Sequence, residues 1–233
     1  MPELPEVETL RRELREVLPG RKIKSVVVLT PKTISPLTTR QFISRLRNQK
    51  VISVERRAKI LLISFSPRPI TLAIHLKMTG QLVYYPNQNQ GSTLKPAKVE
   101  PLIIGGHPED PAKYTRAILY FTDGATLRFN DLRRFGWLRL FNAQEIAKLH
   151  GHHGPEPLAP SFTIQTFHAI LNHYPKRKLK VLLLDQTLIA GLGNIYVDEA
   201  CFAARIKPNR RVATLTLSET KNLFVAIKRI LKL

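Results

Sequence analysis

Two prolines and three glutamates crowd the first eight residues, Met1-Pro2-Glu3-Leu4-Pro5-Glu6-Val7-Glu8. Proline just inside a helix start and glutamates in its first turn suit helix geometry and dipole, which accounts for Pro5, Glu6 and Glu8. It leaves Pro2, beside the initiator methionine, without a structural reason. Once Met1 is removed, Pro2 is a secondary amine at the chain terminus. An α-amino group titrates near about 8 in reference peptides, so a neutral, nucleophilic fraction exists at neutral pH. A helix N-terminus and basic neighbours would enlarge it. Such an amine adds to an aldehydic sugar carbon as lysines do in Schiff-base enzymes. From a secondary amine the product is an iminium cation, a strong electron sink. The adjacent Glu3 is placed to shuttle protons during ring opening and elimination.

Other residues invite chemistry less specifically. Lys59 follows Arg56-Arg57-Ala58, Met78 lies between two strand-like runs, and Phe135 precedes Gly136. Each has a plain structural alternative: a solvated edge-strand charge for Lys59, core packing for Met78 and Phe135. Gly191-Leu192-Gly193 lacks the third glycine of a dinucleotide site. It suits a tight turn feeding a helix whose amides face an anion. The basic run Lys176-Arg177-Lys178-Leu179-Lys180 is either a solvated helix start or a polyanion contact. Cys201, within Ala200-Cys201-Phe202-Ala203-Ala204, reads as a small core residue.

Charge selects the partner. Lysine and arginine number 37 against 17 acidic residues, a formal net charge of +20 over 233 residues. That excess points to a polyanion, nucleic acid before anionic membrane. No apolar run approaches the roughly 20 residues of a spanning helix, and Glu3, Glu6 and Glu8 stand where a signal peptide would be basic. A cytoplasmic, monomeric protein with no membrane partner is expected. With one cysteine, the chain has neither an internal disulfide nor a cysteine-based zinc finger.

The elements that must position these residues fall into two rhythms. Val7, Leu10, Leu14 and Leu18 recur at helical spacing and Pro19-Gly20 stops that helix. Strand-like runs follow at 23–29, 51–57, 60–65, 70–76, 81–85, 116–121, 126–130 and 137–141, with Asp123-Gly124 as a hairpin turn. They predict an antiparallel sandwich or barrel. Residues 86–111 read as a long surface loop and 151–160 as a linker. Beyond it the spacing predicts helices over 162–173, 179–186, 195–205 and 219–233, with Asn194 and Ser218 as N-caps of the last two. The last helix meets the chain end with no stop signal, so the chain is expected to be cut short.

Taken together, five segments resemble the formamidopyrimidine-DNA glycosylase (Fpg/Nei) family: the N-terminal Pro2-to-Glu8 signature, Arg56-Arg57-Ala58-Lys59, His75-Leu76-Lys77-Met78-Thr79-Gly80, Asp131-Leu132-Arg133-Arg134-Phe135-Gly136 and Gly191-Leu192-Gly193-Asn194-Ile195-Tyr196. The resemblance implies an α+β fold. An N-terminal antiparallel β-sandwich with a leading helix, residues 1–143, would be joined by a linker, 144–157, to an all-helical helix–two-turn–helix domain, 158–233. It implies base-excision repair of duplex DNA carrying oxidised or abasic lesions. The enzyme would excise oxidised purines and cleave the abasic site by β/δ-elimination through an N-terminal proline Schiff base. Pro2 would be nucleophile and Glu3 general acid/base. Glu6 would hold the N-terminal segment, and Lys59 would contact a phosphate beside the lesion. Met78, Arg133 and Phe135 would fill the gap left by the flipped nucleotide. Arg134, Lys180, Asn194 and Tyr196 would line the DNA-binding surface. The family's lesion-capping loop and four-cysteine zinc finger have no counterpart in this sequence, so no metal or other cofactor is expected. Without that segment the chain should act on abasic sites better than on intact 8-oxoguanine. Two alternatives stay open: a non-catalytic damage-binding module, and an endonuclease VIII-like preference for oxidised pyrimidines.

Overall fold

A computed structural model describes residues 1–87 and 111–232. The chain divides into two compact units. The first comprises Met1–Pro2, Val7–Arg56 and Ile60–Ile146; the second comprises Glu3–Glu6, Arg57–Lys59 and Ala147–Leu233. Most of the loop expected over 86–111 lies outside the described residues.

Helix α1, Leu4–Val17, opens the fold. Val7, Leu10 and Leu14 are buried along one stripe, as their spacing requires. Its start is three residues earlier than that stripe suggests, because the Glu6 carboxylate accepts the Glu3 amide at 2.8 Å and caps the first turn.

Among the described residues, eight strands make two antiparallel sheets. β1 (Ile23–Val28), β6 (Thr115–Phe121), β7 (Thr126–Asp131) and β5 (Gly80–Tyr85) are ordered β1-β6-β7-β5. The other sheet runs β2 (Lys50–Arg57), β3 (Ile60–Ser66), β4 (Thr71–His75), β8 (Trp137–Phe141). Val26, Leu61, Phe65, Ile74, Leu119, Phe129 and Leu138 come from both sheets into one core, so the arrangement is a sandwich. Each large side chain in it contributes about 1.5–3 kcal/mol. Two links cross between the sheets side by side. β4 leads into β5 and β7 into β8, with His75 paired to Trp137 in one sheet and Gly80 to Asp131 in the other.

Helices α2, Thr39–Leu46, and α3, Ala143–His152, are additions to the expected set. Thr38 and Gln41 form a capping box at α2, which buries Phe42 and Leu46. Helix α3 occupies most of the stretch expected as a linker. Asn142 and Glu145 cap it reciprocally, at 2.9 and 2.8 Å, and none of its residues is buried. With no apolar stripe, it left no periodic signal.

The second unit contains α4 (Ile164–His173), α5 (Leu179–Leu184), α6 (Asn194–Ala203) and α7 (Leu217–Ile230). Phe162, Phe167 and Phe224 meet with ring centroids 5.6–6.0 Å apart at its centre. Cys201 is buried there, and burial pushes its thiol up to about 11, the behaviour of an inert core residue. Both expected N-caps shift. Thr216 caps α7, because Glu219 three residues on completes a capping box that Ser218 could not. Gly193 stands at the N-cap of α6, and Asn194 is its first helical residue.

Candidate active site and nucleic-acid interface

Gly193 caps nothing with a side chain; the capping acceptor comes from residue 3. The Glu3 carboxylate accepts the Ile195 amide at 3.0 Å and the Tyr196 amide at 3.5 Å, the second and third amides of α6. These are the amides an N-cap side chain would ordinarily satisfy. A Cβ on Gly193 would overlap that carboxylate, so only glycine leaves room for it. Glu3 is 1% exposed. The acceptor at this helix start is therefore a carboxylate of the chain itself.

The surrounding bonds hold the pair in place. Leu4 N donates to Gly191 O at 3.2 Å. Gly191 has φ +87, and a side chain there would collide with Leu4. Gln186 staples the turn: its Nε2 donates to Leu192 O at 2.7 Å, and its Oε1 accepts Gly191 N at 2.9 Å. Tyr196 Oη donates to Glu6 Oε1 at 2.5 Å. Burial, then that bond and the charges of Glu6 and Glu3, push the Tyr196 phenol well above its ordinary range, so it stays a donor. Pro2 is buried, with Met1 exposed ahead of it.

Lys59 sits on the two-residue turn from β2 to β3 and is 7% exposed, not the solvated edge charge that its sequence setting allowed. Ala58 holds φ +52. Its amide and the Arg57 guanidinium both donate to Glu156 Oε1, at 2.7 and 2.8 Å. The same guanidinium donates to the carbonyls of His153 and Gly154, each at 2.6 Å. These bonds fix the backbone of the turn that carries Lys59.

Met78, Arg133 and Phe135 form a separate group in the first unit, on the two crossing links. Met78 is 43% and Phe135 51% exposed, which removes the core reading of both. Arg133 donates to Met78 Sδ at 3.0 Å and lies over the Phe135 ring, 4.8 Å from its centroid. Asp131 supports them from below. It accepts the Arg133 amide at 3.2 Å, the Gly136 amide at 2.7 Å and the Thr79 hydroxyl. Gly136 is confined, since a Cβ would lie 2.6 Å from Phe129 Cζ. Lys77 and Arg134 take positive φ, 54° and 57°, at the bends. The result is an exposed apolar–cationic tip on a fixed base.

Asn194 and Arg134 are exposed. Lys180 is engaged: its ammonium meets both Asp198 oxygens at 2.7 and 2.8 Å. The structure thus gathers Glu3, Glu6, Tyr196 and the Gly191-to-Tyr196 turn in one unit, and Met78, Arg133 and Phe135 in the other. Sequence reasoning missed Asp131, Glu156 and Gln186 as supports. Glu156 bonds a segment 98 residues away, and Asp131 and Gln186 bond backbone groups of irregular turns, so none follows a helical or strand spacing. Cys201 is buried and, among the described residues, no three His, Cys, Asp or Glu side chains are grouped to hold a metal.

Two family profiles match the chain, the formamidopyrimidine-DNA glycosylase N-terminal domain over residues 1–138 and the formamidopyrimidine-DNA glycosylase H2TH domain over residues 153–233. The formamidopyrimidine-DNA glycosylase of Pelotomaculum thermopropionicum is 42% identical, over 100% of this chain and 77% of its own length. A Lactococcus lactis Fpg in complex with abasic-site DNA superposes with a TM-score of 0.81 at 30% identity, covering 99% of this chain and 77% of that one. The same protein bound to N7-benzyl-Fapy-dG DNA gives a TM-score of 0.82, with coverage of 99% and 78%.

Proposed function

The chain belongs to the formamidopyrimidine-DNA glycosylase family, and from that premise we propose that it excises oxidised purines from duplex DNA and cleaves the resulting abasic site through Pro2. One observation carries the reading: Glu3, next to Pro2, is buried with its carboxylate fixed on the Ile195 amide. The Pro2 nitrogen adds to C1′ of the lesion nucleotide as the bond to the damaged base breaks. The Glu3 carboxylate takes the proton that the Pro2 nitrogen sheds on bonding to C1′ and passes it to the ring oxygen O4′, which opens the sugar and leaves an iminium whose positive nitrogen draws electrons from C2′. Loss of the C2′ proton then expels the 3′-phosphate. Lys59 neutralises a phosphate beside the lesion, and Asn194, Lys180, Tyr196 and Arg134 hold the backbone. Met78 and Phe135 fill the vacated stack while Arg133 meets the opposite base.

Borohydride reduction on abasic duplex should trap a covalent adduct at residue 2, and intact mass should show Met1 removed. An adduct that persists in Pro2→Ala with Met1 retained would place the nucleophile elsewhere. A protein that binds abasic duplex and never traps would instead be the damage-binding module.

A further inference from the structure

Between Glu16 and Glu55 the chain carries eight lysines and arginines and no acidic residue. In the folded first unit, two of these, Arg40 and Arg47, and one more arginine, Arg68, are set around a groove. Thr39, Ile43 and Arg47, at i, i+4 and i+8, and Arg40 and Ser44, at i and i+4, line a face of α2 and its C-cap beside the buried Phe42 and Leu46. Asn48, Gln49, Pro67 and Arg68 close the other side, around a volume of about 890 Å³. The wall is fixed: Gln49, 3% exposed, accepts the Arg68 amide at 3.1 Å, and Asn48, at φ +65, donates its amide to Ile23 O at 2.9 Å.

The arginines here differ from those elsewhere in the same unit. Arg11, Arg12 and Arg56 converge on Glu8, and Arg21 pairs with Asp123. Arg40, Arg47 and Arg68 are exposed and meet no carboxylate among the described residues. Place matters too. The turn carrying Pro67 and Arg68 follows Ser66, whereas the Met78 link begins at His75, which pairs with Ile60. Six residues of β3 separate the two ends of that hairpin, about 20 Å at the usual rise.

From this geometry we propose that the α2 groove is a docking site for an acidic peptide segment of a partner protein, anchored by one large apolar side chain. The unpaired arginines supply charge complementarity, and Ile43 with Pro67 supplies an apolar floor that a phosphate backbone would not use. A second copy of this chain is a poor occupant, since both copies carry +20. The proposal is independent of the catalytic reading.

The test uses the full chain and a fluorescein-labelled ten-residue peptide of aspartate and glutamate with one central phenylalanine, followed by anisotropy. Two control peptides replace the phenylalanine by serine or the acids by their amides. Both should bind at least about tenfold more weakly. Arg40→Ala, Arg47→Ala and Arg68→Ala should each cost up to about fivefold, and the triple variant about a hundredfold if the three act independently. Reversing three exposed lysines elsewhere, Lys24, Lys148 and Lys221, to glutamate should change peptide binding far less. Abasic duplex should bind the triple alanine variant nearly as well as the parent and should not displace the peptide. A melting temperature unchanged in the triple variant shows that the fold survives. Equal losses in the lysine-reversed and triple alanine variants, indifference to the phenylalanine, or stoichiometric displacement by duplex would each overturn the assignment, the last in favour of a second DNA contact.

Discussion

The turn at the start of α6 and the tip formed by the two crossing links solve the same problem with opposite surfaces. Each is organised by one buried carboxylate gathering backbone amides: Glu3 takes those of Ile195 and Tyr196, Asp131 those of Arg133 and Gly136. At the first, the carboxylate is itself the candidate chemical group. At the second, the carboxylate is hidden and what it supports is exposed, Met78 and Phe135 standing in solvent. A group that must move a proton needs a fixed, shielded place. A group that must enter a base stack needs rigidity beneath and freedom above.

The contrast is broken most directly at Glu3. Glu3→Gln keeps the shape and should lower single-turnover elimination on abasic duplex by about 10²–10⁴-fold, while duplex affinity stays within about threefold. An equal loss in affinity would make Glu3 a binding residue. Asp131→Asn should do the reverse. It weakens three bonds of the tip, costs about 1–3 kcal/mol of stability, and erodes the ratio of lesion to undamaged binding more than the elimination rate. Thermal melts with competition binding check both parts. Gly193→Ala sharpens the first half: the new methyl displaces the Glu3 carboxylate, and overpacking costs about 1–3 kcal/mol. Elimination should fall with it, whereas Gly136→Ala should cost similar stability and spare elimination.

The smallest expected effect concerns Glu8. Burial opposes its ionisation, but hydrogen bonds from Arg11, Arg56 and Arg12 outweigh burial and hold the carboxyl down at about 2. Its contribution to stability is thus present in full above its ordinary titration range and lost as pH falls through about 2. Partial exposure limits this contribution to about 1 kcal/mol. Glu8→Gln should lower the melting temperature slightly at pH 7, and the difference should close as the pH approaches 2. A constant difference would mean that packing, not charge, is what Glu8 supplies.

Short apolar, β-branched-rich runs and the turn residues between them located the eight strands of the described residues, even where, as in β3, burial on successive positions leaves no alternation. Helix α1 announced itself through Val7, Leu10 and Leu14. Helix α2 did carry a signal, Thr38 three residues before Gln41, but eight residues with two buried positions are too few to show a period. The motif residues were all visible, whereas the pairings that fix them were not. Glu156 reaches Ala58 across 98 residues and Glu3 reaches Ile195 across 192, and no local pattern reports such pairings.

The close approach of Glu3 to Gly193 also makes two distant positions a single inherited character. A lineage cannot enlarge residue 193 by even one methyl group while keeping a full-length glutamate at residue 3. Nor can it shorten residue 3 without leaving two amides at the head of α6 less well served. Drift at either site is therefore conditional on the other. The readiest escape runs through paired change, aspartate at one site with alanine at the other, so that the retracted carboxylate makes room for the added carbon.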